Sequence, residues 1–487
     1  MDVSLRAPST LGRWRVRSAQ DGARQIPRQG RHGVLGVALN PATASPILAG
    51  WLIGALGANQ VQVARLHKLS GGAIQENWAF DARVRGGKYE GVIPCVLRTD
   101  APTGVAVSHS RAAEYAILKA AFAAGVKVPE PLGACEDAGV IGKPFYVMRR
   151  LEGTALGHIL TDDRKWQGDR AKLAHDLGAE LAKLHKVVPP RADLSFLKKL
   201  ETSPALAAIG EYRAWLDTYR DPRPALEYAL RWLELNAPAK GAIALCHRDY
   251  RTGNYMADDE GLTGILDWEF AGWSDPDEDL GWFCAKCWRF GRWDRAAGGI
   301  GAREDFLAGY GLTVAPETLR YWEIMAHARW AVIALQQGDR FVGGGEASLD
   351  LALTGRRIAE LEFELLNEIA PDAAPGFDLP SLPGDRADAL ELLGIARDTL
   401  TKNLLSLLPE EKRLDSLMVA NALSIAAREF EKAATPRIDP AAGKALVAAI
   451  RSGKHDNDAG LVGALRENAR VRTALANPKY PGVSTSR

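Results

Sequence analysis

Residues 242–282 read AIALCHRDYRTGNYMADDEGLTGILDWEFAGWSDPDEDLGW, and the reading of this stretch decides the fold. Two short apolar runs, 242–246 and 262–266, read as brief extended segments, and a polar constellation follows each. After the first comes His247-Arg-Asp-Tyr-Arg-Thr-Gly-Asn254, and after the second Leu266-Asp-Trp-Glu269. Phosphoryl transfer needs a group that orients or deprotonates the attacking hydroxyl, hard oxygen ligands for magnesium, and positive or N–H groups around the phosphates. Asp249 is the candidate base, and Asn254 and Asp267 are the candidate Mg2+ ligands. The spacing of Asp249 and Asn254 is that of H-R-D-x-x-x-x-N, so their order and the strands before them carry more weight than any single residue.

Toward the N-terminus, residues 61–98 alternate apolar and polar positions in three runs. Ser70, Gly71, Gly72 and Ala73 separate the first two runs and Gly86-Gly87 the last two, which predicts an antiparallel meander. A helix follows over 108–124, ended by Gly125 with Pro129 and Pro131 beyond, then another strand over 144–148. Residues 46–57 are too short an apolar stretch to span a bilayer and read as a first amphipathic helix. Leu173, Leu177, Leu181 and Leu184 place an apolar stripe on a helix that serves packing. Residues 280–290 read as an aromatic-rich helix, and helices continue to about Glu368.

The segment 246–282, above all HRDYRTGNY, LDWEFAGW and SDPDEDLGW, resembles the aminoglycoside phosphotransferase and choline kinase-like family, and the resemblance extends over about 60–366. It implies an α+β, bilobal protein-kinase-like fold, with a small antiparallel-sheet N-lobe and a mainly helical C-lobe, using ATP and Mg2+. By that resemblance Ser70, Gly71, Gly72 and Ala73 form the hairpin whose backbone covers the phosphates. Arg98 stands where the family often has a phosphate-contacting lysine, with Glu114 as its helix partner. That is a departure, because Arg keeps the charge but is bulkier. Val147, Met148, Arg149 and Arg150 match the hinge that reads adenine through its backbone. Asp279 matches a buried scaffold Asp beneath the catalytic loop, and His247 a structural histidine there. Glu269 either assists at the metal from behind Asp267 or serves a helix start or the surface.

Composition bounds the rest. The 487 residues exceed a single core and imply two or three domains. Lys plus Arg is 61 against 60 Asp plus Glu, a formal charge of +1 that gives no global field for nucleic acid or an anionic membrane. Five scattered cysteines suit a reducing, cytoplasmic setting, and Cys284 and Cys287 read as packed thiols. The expected organisation is an Arg-rich disordered leader over 1–45, a nucleotide-binding N-lobe over 46–150, and a catalytic, substrate-binding C-lobe over 151–369. A Pro-rich linker over 370–385 then leads to a helical domain over 386–487, which resembles an uncharacterised bacterial domain fused to such kinases and offers a homodimer surface.

For the acceptor, acids cluster at Asp275, Asp277, Glu278 and Asp279, but Trp282, Phe283, Trp288, Phe290 and Trp293 with Arg289 and Arg292 follow. That mixture suits an apolar or anionic hydroxy compound better than a polycation. The chain also resembles the kinase-like domain attached to some acyl-CoA dehydrogenases, which implies a hydroxyacyl acceptor. The rival expectations are a pseudokinase that binds nucleotide or ligand without turnover, and an antibiotic resistance kinase of the aminoglycoside type.

Overall fold

A computed structural model describes residues 39–69, 75–100, 108–343 apart from Arg220 and Lys240, 348–373 and 387–431. The chain enters through α1 (Pro41–Leu56), capped by the Asn40 side chain and stopped by Gly57 in the left-handed region. This helix begins before the expected 46, and so takes in the end of the expected leader, because Asn40-Pro41 supplies the cap and the first-turn proline. Ala44, Leu48, Leu52 and Leu56 form its buried stripe. The stripe lies on a five-stranded antiparallel sheet made of β1 (Gln60–Lys68), β2 (Gln75–Arg85), β3 (Gly91–Asp100), β4 (Pro131–Cys135) and β5 (Phe145–Arg149). The spatial order is β1-β2-β3-β5-β4, so the expected meander is present, and helix α2 (Arg111–Ala123) connects β3 to β4. Ser110 caps α2, and a one-turn helix α3 (Ala138–Ile141) joins β4 to β5.

Strand β4 was not expected: Pro131 and Gly133 hide it from a periodicity reading. Both are tolerated because β4 is the edge strand, and Gly133 makes room for the Trp51 ring, which would lie 2.9 Å from a Cβ there.

Beyond the short α4 (Gly157–Leu160), the second lobe is built on α5 (Arg170–Leu184), whose Leu173, Leu177, Leu181 and Leu184 are all fully buried. Next come α6 (Pro204–Leu216) and α7 (Pro224–Leu235). Two small two-stranded sheets follow: β6 (Ala244–Cys246) with β9 (Gly272–Ser274), and the hairpin β7 (Tyr255–Asp258) with β8 (Gly261–Ile265). Helices α8 (Pro276–Cys284), α9 (Arg303–Tyr310), α10 (Pro316–Gly343), α11 (Leu349–Arg356) and α12 (Ile358–Ile369) complete the lobe. Glycines let α5 and α9 meet closely, since a Cβ on Gly178 would stand 2.0 Å from the Phe306 carbonyl oxygen and one on Gly309 1.9 Å from that of His175.

The aromatic-rich helix expected over 280–290 stops at Cys284. The guanidinium of Arg289 donates to the orphan Cys284 carbonyl at 3.1 and 2.6 Å, and the chain turns so that the Trp282 and Trp288 rings meet at 5.2 Å. Farther on, α13 (Ala389–Asp398) carries a capping box at Asp388 and Glu391. Past α13 the chain widens to a π turn over Thr399–Leu404 and tightens over Leu405–Leu407. Helix α14 (Glu410–Glu431) follows. The leader up to residue 38, most of the expected linker and the expected helical domain from residue 432 onward lie outside the described residues. Among those described, no helix is long and apolar enough to cross a membrane.

Candidate active site

The loop after β6 is fixed from below by one buried carboxylate. Asp279, fully buried in the first turn of α8, accepts the His247 N–H at 2.7 Å, the Arg248 N–H at 2.7 Å and Nε2–H of His185 at 3.2 Å. Burial alone would raise its pKa, but the bond and charge of His185 overcome that and hold it below the ordinary range. Arg248 adopts a positive φ of 61°, a sharp turn in the left-handed region that these bonds hold in place. The His247 ring accepts the Asp249 N–H at Nδ1 (3.3 Å) and donates from Nε2 to the Leu266 carbonyl (2.8 Å). These bonds assign a neutral tautomer and place the ring under the loop, against Trp268 at 4.7 Å.

Asp249 emerges from this platform with both carboxylate oxygens engaged. Oδ2 accepts Asn254 Nδ2 at 2.6 Å, and the same amide donates to the Asp249 carbonyl at 2.9 Å. Oδ1 accepts Trp282 Nε1 at 3.0 Å and Arg251 Nε at 3.2 Å. Asp267 is set by the β7–β8 hairpin: Tyr255 pairs with Ile265, and the Leu266 N–H donates to the Asn254 carbonyl at 2.8 Å. Asn254 and Asp267 therefore lie at the same open end of one hairpin, and Asp267 turns out of it with φ of 69°.

Arg98, on β3, reaches across from the other lobe. Its Nε lies 3.0 Å from Glu114, which is fully buried on α2, and its Nη2 bonds to Asp267. Burial alone would raise the Asp267 carboxyl, but Arg98 overcomes it and holds the group below the usual carboxylate range. Glu114 is shared with Arg111, which also bonds Asp100, Gln75 and the His109 carbonyl. Gln75 in turn donates to Glu269 at 2.7 Å, so Glu269 lies behind Asp267 and is tied to the sheet. Burial and the neighbouring Asp267 charge raise its pKa.

In the hinge stretch, Val147 and Met148 lie in β5 between β3 and β4. The N–H groups of Arg149 and Arg150 are committed to the carbonyls of Glu130 and Pro94, each at 2.9 Å. Their side chains pair with Glu130 and Asp81. Ser70, Gly71, Gly72 and Ala73 lie outside the described residues.

The expected acceptor-facing set is divided by the fold. Trp282 bonds Asp249 and Trp288 packs on Trp282, but Phe283 is core, Arg289 caps α8, and Arg292 is spent on Asp163, Asp294 and the Thr161 carbonyl. Phe290 and Trp293 are exposed. Among the acids, Asp275 caps α8 by accepting the Asp277 N–H at 3.0 Å, and Glu278 is bonded to Ser274, Arg248 and Arg329. Sequence reasoning missed Trp282 Nε1 and Arg251 as holders of Asp249, and His185 beneath Asp279. Arg251 had a signal, since it stands inside the quoted motif two residues after the base. His185 and Gln75 belong to no motif.

A small antiparallel sheet with a partner helix, a helical second lobe, and an Asp/Asn/Asp cluster where they meet define a phosphotransferase of kinase-like fold. The chain belongs to the phosphotransferase enzyme family, whose family model matches residues 65–322. Residues 406–480 match a domain of unknown function (DUF6285). The chain is 28% identical over 283 residues to acyl-CoA dehydrogenase family member 10 of Mus musculus, covering 53% of this chain and 26% of that protein. It is 31% identical over 186 residues to family member 11 of Gallus gallus, covering 36% of this chain and 22% of that protein. It thus spans about a quarter of the curated relatives named here. A crystal structure from Ralstonia eutropha assigned to the aminoglycoside phosphotransferases superposes with a TM-score of 0.53 at 21% identity, covering 66% of this chain and 98% of that one. That likeness shows the fold.

Proposed function

We propose that the chain is a Mg-ATP-dependent O-phosphotransferase of a small hydroxyl-bearing molecule, with a hydroxyacyl compound as the favoured acceptor. The observation that carries the reading is Asp249, gripped by Asn254, Trp282 and Arg251, beside an Asp267 that the opposite lobe engages through Arg98. Asp249 orients the acceptor hydroxyl and takes its proton as the oxygen attacks the γ-phosphorus, the bond to the β-phosphate oxygen breaks, and ADP leaves.

The donor set fits magnesium. Asn254 uses its amide N–H on Asp249, which leaves its side-chain oxygen as a hard ligand, and the Asp267 carboxylate adds a second. Bound there, the ion would neutralise charge developing on the phosphates. Arg98 would move from Asp267 to phosphate oxygens when nucleotide enters, while Glu114 keeps hold of it. Ser70, Gly71, Gly72 and Ala73, and residues 147–150 apart from the committed N–H groups of Arg149 and Arg150, stay assigned to the nucleotide on the family resemblance. Asp279, His247 and His185 hold the loop, and Glu269 assists near the metal as a neighbour of Asp267, tied through Gln75 to Arg111.

The hydroxyacyl class draws support from the acyl-CoA dehydrogenase family members in which a matching segment occurs. A homodimer through the C-terminal helices is the partner reading, supported by the exposed Leu414, Leu417, Met418 and Val419 of α14. Sedimentation tests it. A pseudokinase that binds nucleotide without turnover is the rival, favoured by Arg98 closing over Asp267. The deciding assay presents γ-labelled ATP with Mg2+ and a panel of hydroxyacyl-CoAs, hydroxy acids, choline-like amines and aminoglycosides. Nucleotide binding without label transfer to any of them would establish the rival.

A further inference from the structure

Beyond Asp249, on the side away from Asn254, lies a box of three indoles that no motif announces. Trp282 and Trp288 have ring centroids 5.2 Å apart, and Trp288 and Trp330 4.8 Å apart. A guanidinium lies on each of the three rings, Arg251 at 4.7 Å from Trp288, Arg329 at 4.4 Å from Trp282 and Arg357 at 5.9 Å from Trp330. Trp282 spends its N–H on Asp249. The indole nitrogens of Trp288 and Trp330 are buried without a hydrogen-bond partner, although Trp288 is more than nine-tenths buried, and an orphaned buried donor is costly unless something arrives to accept it.

Charge in this region is unbalanced in one direction. Glu278 serves both Arg248 and Arg329, each at 3.3 Å, and Asp249 serves Arg251. Arg357 has Glu360 for its own partner, so the other three guanidiniums share two carboxylates, and one of those carboxylates is the base itself. The side chains of Arg251 and Arg329 retain 26% and 12% exposure, so water or a solute reaches both. A polycation would meet this excess of positive charge across low-dielectric indole walls, and repulsion there is weakly screened. An anion would supply the missing charge and accept from the partly exposed arginines, with its apolar body along the edge of Trp330, the least buried of the three indoles.

We propose that Arg251, Arg329 and the Trp282–Trp288–Trp330 box form an acceptor subsite for an anionic group joined to an apolar carbon chain, whose hydroxyl is thereby presented to Asp249. The inference rests on the phosphotransferase reading for its purpose, but the subsite has its own signal, because ligand binding at the rim of an indole cluster changes tryptophan fluorescence. Arg329 is a specificity-determining residue in this account, holding the anion while Asp249 handles the proton.

The test uses the full chain with Mg2+ and a non-hydrolysable ATP analogue, titrated with hydroxyhexanoates, their methyl esters, the matching amino alcohols and the coenzyme A thioesters. Hydroxyhexanoates are expected to give a saturable fluorescence change, with the esters about tenfold or more weaker, the value of one lost charge-assisted bond, and the amino alcohols weaker still. Arg329→Gln is expected to bring carboxylate affinity down to the ester level, and Arg329→Lys to recover most of it. If the anion recognised is a coenzyme phosphate, the thioesters outcompete the free acids and the Arg329→Gln loss appears on them instead. Esters or amino alcohols binding as tightly as both anionic series would overturn the subsite. So would an Arg329→Gln protein, folded by circular dichroism, with an unchanged charge preference; should that variant not fold, the wild-type charge series decides. Failure of the two ideas is separable. Tight anion binding with no label transfer to any acceptor sinks the transferase reading alone, and transfer only to amino alcohols sinks the subsite alone.

Discussion

Replacing Arg98 by Met keeps most of its volume and removes its charge from between two carboxylates. The Arg98 side chain is 9% exposed, that of Glu114 is fully buried, and that of Asp267 is 29% exposed. Breaking a buried pair by deleting one partner costs about 3–5 kcal/mol, because the remaining charge is stranded. Two features of the structure pull this toward the lower bound: Glu114 retains Arg111, and water reaches part of Asp267. We therefore expect Arg98→Met to lose about 3 kcal/mol of unfolding free energy at pH 7 in the absence of nucleotide, measured by urea denaturation. Adding Asp267→Asn removes the stranded charge, so the double variant should regain about 1 kcal/mol or more over the single one. A single variant within about 0.5 kcal/mol of wild type would mean that the bridge between the lobes is not formed in solution, and the account of Asp267 would fail with it.

Three further outcomes follow from burial and packing. Burial first, then repulsion from Asp277 and Glu278, pushes the Asp275 carboxyl up to about 6, so the folded state holds its proton more tightly than the unfolded chain. Stability from this group is present below the ordinary Asp range and is lost as pH rises through about 6; Asp275→Asn, which keeps an acceptor for the Asp277 N–H, should gain about 2–3 kcal/mol over wild type at pH 8 and little at pH 4, by urea denaturation at both. His327 titrates the other way: burial lowers it to about 4, so its contribution is complete above about 6.5 and disappears as pH falls toward 4, and His327→Leu should flatten the acid limb of the stability profile by about 2–3 kcal/mol. Gly178→Ala drives a methyl into the Phe306 carbonyl where α5 meets α9, and thermal unfolding should show a loss of about 2 kcal/mol or more.

What the sequence made legible was what local pattern encodes. The meander of β1–β3 and the α5 stripe rest on spacings within a few residues, and the Asp249, Asn254 and Asp267 set on one short motif and a second one hairpin later; in the structure Asn254 bonds Asp249, and the Leu266 N–H, next to Asp267, bonds the Asn254 carbonyl. The pairing of Arg98 with Glu114 came from family likeness, and the geometry places them 3.0 Å apart. Contacts between distant segments were hidden. Nothing near His185 says that its ring will reach Asp279, and nothing near Gln75 says that it will bind Glu269, because the first contact forms only when the second lobe packs and the second only when the two lobes meet. Composition also misled. Arg289 and Arg292 looked available to an acceptor, yet one satisfies the end of α8 and the other an exposed acid cluster, while Arg329, deep in a long helix with no motif around it, took their place beside Trp282. Strands β4, β7 and β9 are short and interrupted by Gly or Pro, or bounded by polar residues, so their pairing partners define them more than their own alternation does.

The central claim is tested most directly by γ-phosphate transfer from labelled ATP in wild type and Asp249→Asn, with Mg-ATP affinity measured on the same samples. The account predicts that wild type labels an acceptor hydroxyl only with Mg2+. Asp249→Asn should lose at least about a hundredfold in rate, with nucleotide affinity within about twofold; Asp267→Ala should instead raise the Mg2+ concentration required. Equal transfer rates in wild type and Asp249→Asn would contradict it.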